Sequence, residues 1–217
     1  MSLAAFQEAL ARRVRSPAAA GGGDRGLAVT AAVRRSWCEA RTAKAGAITL
    51  SLLPTEARRR LIAEWVDLGG GAGAFRNLEA EAFLDFVAPR LPDPSHVLTL
   101  CRLEQALARA AVAVDFGAPP LPRPGARVAR GRWASLVRFG CEPVALIEAA
   151  LGGPEPPPLE PRSRPVFVAP GIKGRLRPAI GPEAALWATL KEPQPWREAQ
   201  RLCDLRALLA EGVVEAV

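Results

Sequence analysis

The chain contains no tyrosine, one histidine and one methionine among its 217 residues, and aromatic side chains make up only 6% of it. With His96 as the only imidazole, the commonest general acid–base and metal-binding side chain is missing from every other position. The four cysteines, at 38, 101, 141 and 203, are spaced too widely for a CxxC metal knuckle, and three of them sit inside apolar periodic runs. They read as reduced thiols packed as small hydrophobes. No uninterrupted apolar run approaches the ~18 residues of a membrane span. Glu8 and Arg12 fall where the apolar stretch of a signal peptide would have to lie, so a soluble, cytoplasmic protein is the expectation. No P-loop and no GxGxxG follows a predicted strand, which leaves nothing to announce phosphate or dinucleotide binding. Glu79, Glu81 and Asp85 lie on a helix that also carries a core stripe. Without a second histidine or an activated nucleophile they read as a solvated face rather than a catalytic pair. An independent enzyme is not expected, and no cofactor is assigned to the chain itself.

What the sequence does have is helical periodicity, proline-rich joints and positive charge. Hydrophobic residues make up 49% of the chain and its formal net charge is +7. The length suffices for one large core or two small ones. A first helix is predicted over residues 3–15, with Ser2 as its N-cap and Phe6, Leu10 and Val14 on one face. A loop over 16–26 breaks it. Further helices are expected over 27–41 and from Thr55, where Leu61, Ile62, Trp65 and Val66 form the buried stripe. The glycine-rich run 69–73 gives a mobile bend, and Asn77 reads as the cap of the next helix. Residues 82–110 carry the strongest pattern, two amphipathic helices joined by a short break around Pro94. Phe83, Leu84, Phe86 and Val87 recur before it, and Val97, Leu98, Cys101, Leu103, Ala106, Leu107 and Ala110 after it. His96, two residues past Pro94, starts the second of these helices; it reads as a partly exposed first-turn residue or as support for a partner's active site. Arg102 and Glu104 are read on the outward side of that helix, either as partner contacts or as members of pairs within the protein.

Residues 117–125 contain four prolines among nine positions and cannot sustain helix or sheet. They are taken as a linker between a helical domain over 1–116 and an α/β domain over 126–217. The fold class is thus α+β, an N-terminal helical bundle followed by a smaller C-terminal domain with a short antiparallel sheet and helices. One or two strands are expected over 126–139, a short helix near 143–151, a hairpin over 165–180 turning around 171–174, a helix from Gly181 to about Leu190, and another over 196–211. Pro170 and Pro178 each remove a ladder donor, so at least one hairpin strand belongs on a sheet edge.

Five arginines (123, 127, 130, 132 and 138) fall between residues 117 and 141, and five more basic residues (162, 164, 173, 175 and 177) between 161 and 182, with no acid in either run. Both runs coincide with predicted strands. A solvated sheet face would explain them. So would an edge strand that takes up an extended, acidic peptide through main-chain hydrogen bonds. On that reading Val166, Phe167 and Val168, together with Arg175, Leu176 and Arg177, form the peptide-binding element, with Arg175 and Arg177 on one face. Nucleic acid is a weaker candidate, because only Trp133, Phe139 and Phe167 are interleaved with the basic residues.

Four segments carry a family likeness. LAAFQEAL at the start, FLDFVAPRL, LCRLEQALARA and the late VFVAPGIKGRLRPAIGPEAALWATL together resemble the HvfC/MbnC/TglI family, with the length and the late segment most similar to its methanobactin-biosynthesis branch. The resemblance implies a helical domain, a smaller peptide-recognition domain and a heterodimer with a TIM-barrel, multinuclear iron oxygenase of the MbnB type. It implies that iron resides in that partner, and that this chain holds the leader of a ribosomally made precursor while the partner oxidises a core cysteine to an oxazolone and thioamide. His96, Arg102 and Glu104 would lie toward the partner, and the strand region 166–180 would hold the leader. Residues 18–26 align with no family pattern. A basic DNA-binding regulator with a winged-helix-like C-terminal domain is the rival expectation.

Overall fold

A computed structural model describes residues 2, 4, 5, 7–9, 25–72, 76–113, 116, 117, 122, 123 and 125–217, without the side chains of 76–78. At the start, the Ala5 amide donates to Ser2 Oγ at 3.2 Å, as an N-cap requires. The remainder of the predicted first helix, including Phe6, Leu10 and Val14, lies outside the described residues, as does most of the 16–26 loop.

The helical half contains α1 (Arg25–Ala45), α2 (Ala47–Ser51), α3 (Thr55–Asp67), α4 (Arg76–Val87) and α5 (His96–Val112). Asn77 lies inside α4. The short α2 was not expected. It exists because the chain turns at Gly46 directly over a buried ring: a Cβ at that position would sit 2.9 Å from Phe83 Cε1. The bend after α3 is a packed turn, since Gly71 has φ +79° and a Cβ there would meet Cys38 at 2.7 Å. A 3-10 turn, Ala88–Arg90, follows α4, and Ser95 Oγ then accepts from the Leu98 amide at 3.1 Å to cap α5. Cys38, Leu50, Ile62, Val66, Phe83, Leu84, Val87 and Cys101 close the core of this half. Each large apolar side chain buried there contributes about 1.5–3 kcal/mol.

The C-terminal half contains β1 (Arg127–Arg130), β2 (Ser135–Phe139), α6 (Pro143–Ala150), β3 (Arg164–Val168), a 3-10 turn (Lys173–Arg175), β4 (Leu176–Pro178), α7 (Gly181–Thr189), β5 (Gln194–Pro195), α8 (Trp196–Ala199), α9 (Leu205–Ala210) and β6 (Val214–Ala216). These build two antiparallel sheets of three strands, in the orders β5-β1-β6 and β2-β3-β4. The mixed α+β class, helices first and sheets after, is therefore as expected. Two details differ. The strands of 126–139 belong to different sheets, because Gly131 lets the chain turn against Gly212, whose carbonyl oxygen leaves no room for a Cβ. The helix expected over 196–211 is broken into α8 and α9, since the Asp204 carboxylate accepts from the amides of Arg206 and Ala207 and starts a new helix.

The second sheet is covered on both faces. Val137, Phe139, Val166 and Val168 pack against Leu100, Leu103, Ala106 and Ala110 of α5 and against Leu146 and Ala150 of α6. On the other face Phe167 joins Val128, Ile172, Leu186, Trp187, Leu205, Leu208 and Val214. Alternation along the strand sends successive side chains to the two cores. The halves on either side of residues 117–125 thus share one core between α5 and the sheet.

Candidate functional site

The second sheet has two outer strands, and they differ. In the β3–β4 ladder Val166 pairs with Pro178, Phe167 with Arg177 and Val168 with Leu176. The Ala169 amide donates to the Arg175 carbonyl and the Ala179 amide to the Pro165 carbonyl. Hydrogen-bonded pairs alternate along an antiparallel ladder, so Arg177 also faces β3 while Leu176 and Pro178 turn their main-chain groups outward. Pro178 has no N–H, and its carbonyl accepts from Arg177 Nη1 at 2.9 Å. The β4 edge therefore offers a visiting strand little beyond the N–H and C=O of Leu176.

The β2 edge is longer. β2 pairs with β3 from Ser135 opposite Val168 to Phe139 opposite Arg164. Because Phe167 uses its main chain toward β4, Val166 and Val168 use theirs toward β2. The bonded residues of β2 are then Ser135, Val137 and Phe139. Leu136 and Arg138 direct their N–H and C=O groups away from the sheet. Where this edge meets α5 lies a cavity of about 470 Å³, bounded by Ser135–Arg138 on one side and by Arg102, Gln105 and Arg109 with Asp85 on the other. Its helical wall is held by pairs: Gln105 donates to Asp85 at 2.7 Å, and Arg109 reaches Glu81 at 2.7 Å. Arg138 is exposed and pairs with no carboxylate among the described residues.

The residues singled out from the sequence are distributed unevenly over these edges. Val166, Phe167 and Val168 are on the central strand, 3%, 0% and 0% exposed, so their side chains belong to the two cores and touch no ligand. Both main-chain sides of β3 are already paired. Arg175 lies in the turn before β4 with φ +67°, so it does not share a strand face with Arg177. Leu176 is half-buried against the α5 side of the sheet. Arg177 is occupied: it bonds Glu183 at 2.8 and 2.9 Å and Glu211 at 2.8 and 2.7 Å, and it lies 5.5 Å from the Phe167 ring. The bonds to Glu183 and then Glu211 raise its pKa further above the ordinary guanidinium value. In the first basic run Arg127 bonds the Pro193 carbonyl and Arg130 the Trp187 carbonyl, while Arg132 lies over Trp133.

Among the partner-facing candidates, Glu104 corrects the expectation. It faces inward, and its carboxylate accepts from the amides of Ile48 at 2.9 Å and Thr49 at 2.7 Å, anchoring the start of α2 to α5. Burial lifts its carboxyl above the usual carboxylate range, and the amide bonds oppose that shift. Its place four residues after Leu100 and three after Cys101, on the buried stripe, was the available signal. Arg102 is exposed and reaches Asp93 at 3.3 Å. His96 is half-buried at the α5 start, with Nδ1 3.7 Å from Cys141 Sγ. That contact crosses from the helical half to the sheet half and was not legible from sequence spacing. Burial, then Glu160, pushes the Cys141 thiol up, and burial, then Glu104, pushes Cys101 up to about 12; both shifts disfavour the thiolate. Among the described residues no group of three or more His, Cys, Asp or Glu side chains could hold a metal ion, and no helix is long and apolar enough to cross a membrane. Comparison with known proteins returns no matching family model and no matching curated protein.

Proposed function

We propose that the chain is a non-catalytic recognition subunit that binds an extended peptide by adding it as a strand to the β2 edge, beside α5. The observation that carries this is the pair of outward-facing main-chain positions, Leu136 and Arg138, opening onto a groove with a helical wall. Main-chain bonds along the edge supply affinity independent of sequence, and Arg138 favours an acidic residue on the visiting strand. This moves the binding element from β3 and β4 to β2 and leaves the hairpin as its support.

A protein partner is the second half of the proposal. On α1, Val29, Val33 and Trp37 are 57%, 65% and 53% exposed at four-residue spacing, and the Arg41 guanidinium lies 4.5 Å from the Trp37 ring. The Arg41 charge is paired with Glu79 at 2.6 Å, so it is the exposed apolar stripe that supports docking against another protein. The resemblance to the HvfC/MbnC/TglI family supplies the kind of partner, a TIM-barrel iron oxygenase that holds the metal and modifies a cysteine of the bound precursor. A DNA-binding regulator is less well supported, since Arg127, Arg130, Arg164 and Arg177 are already bonded within the protein. The test is affinity purification of the tagged chain from its native host, with mass spectrometry of co-purifying proteins and iron analysis. An iron-loaded barrel protein recovered with a short peptide is the expected result; nucleic acid recovered without an iron protein would overturn the proposal.

A further inference from the structure

A second concave site lies on the other sheet, and its chemistry differs from that of the peptide groove. It is a cavity of about 660 Å³ where β5 and α8 meet the chain leading into β1. Arg123, Arg197 and Arg206 line it together with Trp196, Gln200 and Pro195. No carboxylate is among its described lining residues. The nearby Asp204 carboxylate is committed to the amides of Arg206 and Ala207. All three arginines are exposed, and none pairs with a carboxylate among the described residues. This sets them apart from Arg164 and Arg177, whose guanidinium groups are taken by acids.

Three unpaired guanidinium groups around one concavity repel one another and leave a strong positive potential, which an anionic ligand relieves. Planar, forked donors match phosphate oxygens in pairs. Trp196 adds a flat apolar surface at the same place. It is half-buried, its indole backed by the core that contains Leu205 and Leu208, and its main chain is fixed by donation to the Ala126 carbonyl at 3.1 Å. A rigid indole beside guanidinium groups suits a flat ring that carries phosphate. The Gln200 amide offers both a donor and an acceptor to the edge of such a ring. The volume lies within the ~300–1,000 Å³ typical of sites for small ligands.

We propose that this cavity binds a nucleotide unit, its phosphate held by Arg123, Arg197 and Arg206 and its base laid against Trp196. The unit could be a free nucleotide or one residue of a single strand, and the two sources share this chemistry. The site is independent of the peptide groove, so the two proposals stand or fall separately.

The experiment is calorimetric titration of the full chain with ATP, tripolyphosphate, adenosine, a 12-residue oligo(dA) and an acidic peptide of equal charge, each at low and at physiological salt. ATP is expected to bind at least tenfold more tightly than tripolyphosphate or adenosine, and R197A/R206A to weaken it at least tenfold with an unchanged melting temperature, since both residues are exposed. Trp196→Phe, which keeps a flat ring and the core contact, is expected to retain most of the affinity. Equal affinity for ATP and the oligonucleotide identifies a free-nucleotide site. Tighter oligonucleotide binding that falls steeply with salt identifies a strand; both results support the proposal. It is overturned if ATP does not bind at millimolar concentration, if ATP binds no better than tripolyphosphate, if R197A/R206A binds ATP as the parent does, or if R197A/R206A weakens the acidic peptide as much as it weakens ATP.

Discussion

The two outer strands of the second sheet have opposite fates. Both bear an arginine, Arg138 on β2 and Arg177 on β4, and each lies in a basic run without acids. Arg177 is locked between Glu183 and Glu211, and beside it the edge is closed by a proline and by its own bond to the Pro178 carbonyl. Arg138 pairs with no carboxylate among the described residues and lies on an edge of five residues that faces a groove. Charge in a sequence therefore does not identify a binding surface; what decides is whether acids distant in the chain fold back onto it.

The largest test of that comparison lies between the edges. If Phe167 is core and not a ligand contact, F167A costs about 4 kcal/mol in a urea unfolding curve, through cavity formation between Trp187 and the sheet. A stable F167A variant that merely loses peptide would return the site to β3. Next is Arg177. R177A leaves the buried Glu183 and the half-buried Glu211 without their shared cation, for an expected loss of about 3 kcal/mol. Because the β4 edge is structural, the remaining folded R177A protein is expected to bind peptide as the parent does.

Away from the β2 groove, Glu104 anchors the start of α2 to α5. Removing its carboxylate in E104A strands the Ile48 and Thr49 amides and costs about 2 kcal/mol. Its pH signature has a definite sign. The folded carboxyl binds its proton more tightly than the unfolded one, so this group's contribution to stability falls as pH rises from the ordinary carboxylate range through the raised folded value. E104Q, which keeps an acceptor and cannot ionise, is expected to flatten that fall when urea midpoints of the two proteins are compared between pH 4 and 7. The smallest effect belongs to the free edge. R138P removes one outward donor without touching the β2–β3 ladder, and is expected to weaken the co-purifying peptide about fivefold beyond R138A, the worth of about one hydrogen bond.

Helices were legible where periodicity was strong: α3 and α5 begin at the expected residues, and the hairpin over 165–180 turns where its glycines allow. These depend on local pattern and local turn chemistry. The failures are nonlocal. The partners of Arg177 lie 6 and 34 residues away. The order of strands, which makes β2 an edge and β3 the centre, depends on pairings that no local run encodes. Nor does α2, which is set by Gly46 meeting Phe83 from 37 positions downstream. Glu104 is the intermediate case. Its position on the apolar stripe was visible, but the two amides that make burial tolerable were not.

The most direct measurement is residue-resolved amide hydrogen exchange of the chain with and without the co-purifying peptide. Peptide added to the β2 edge is expected to slow exchange at Leu136 and Arg138 and to leave Leu176 unchanged. Protection at Leu176, or on no strand of this sheet, would contradict the account.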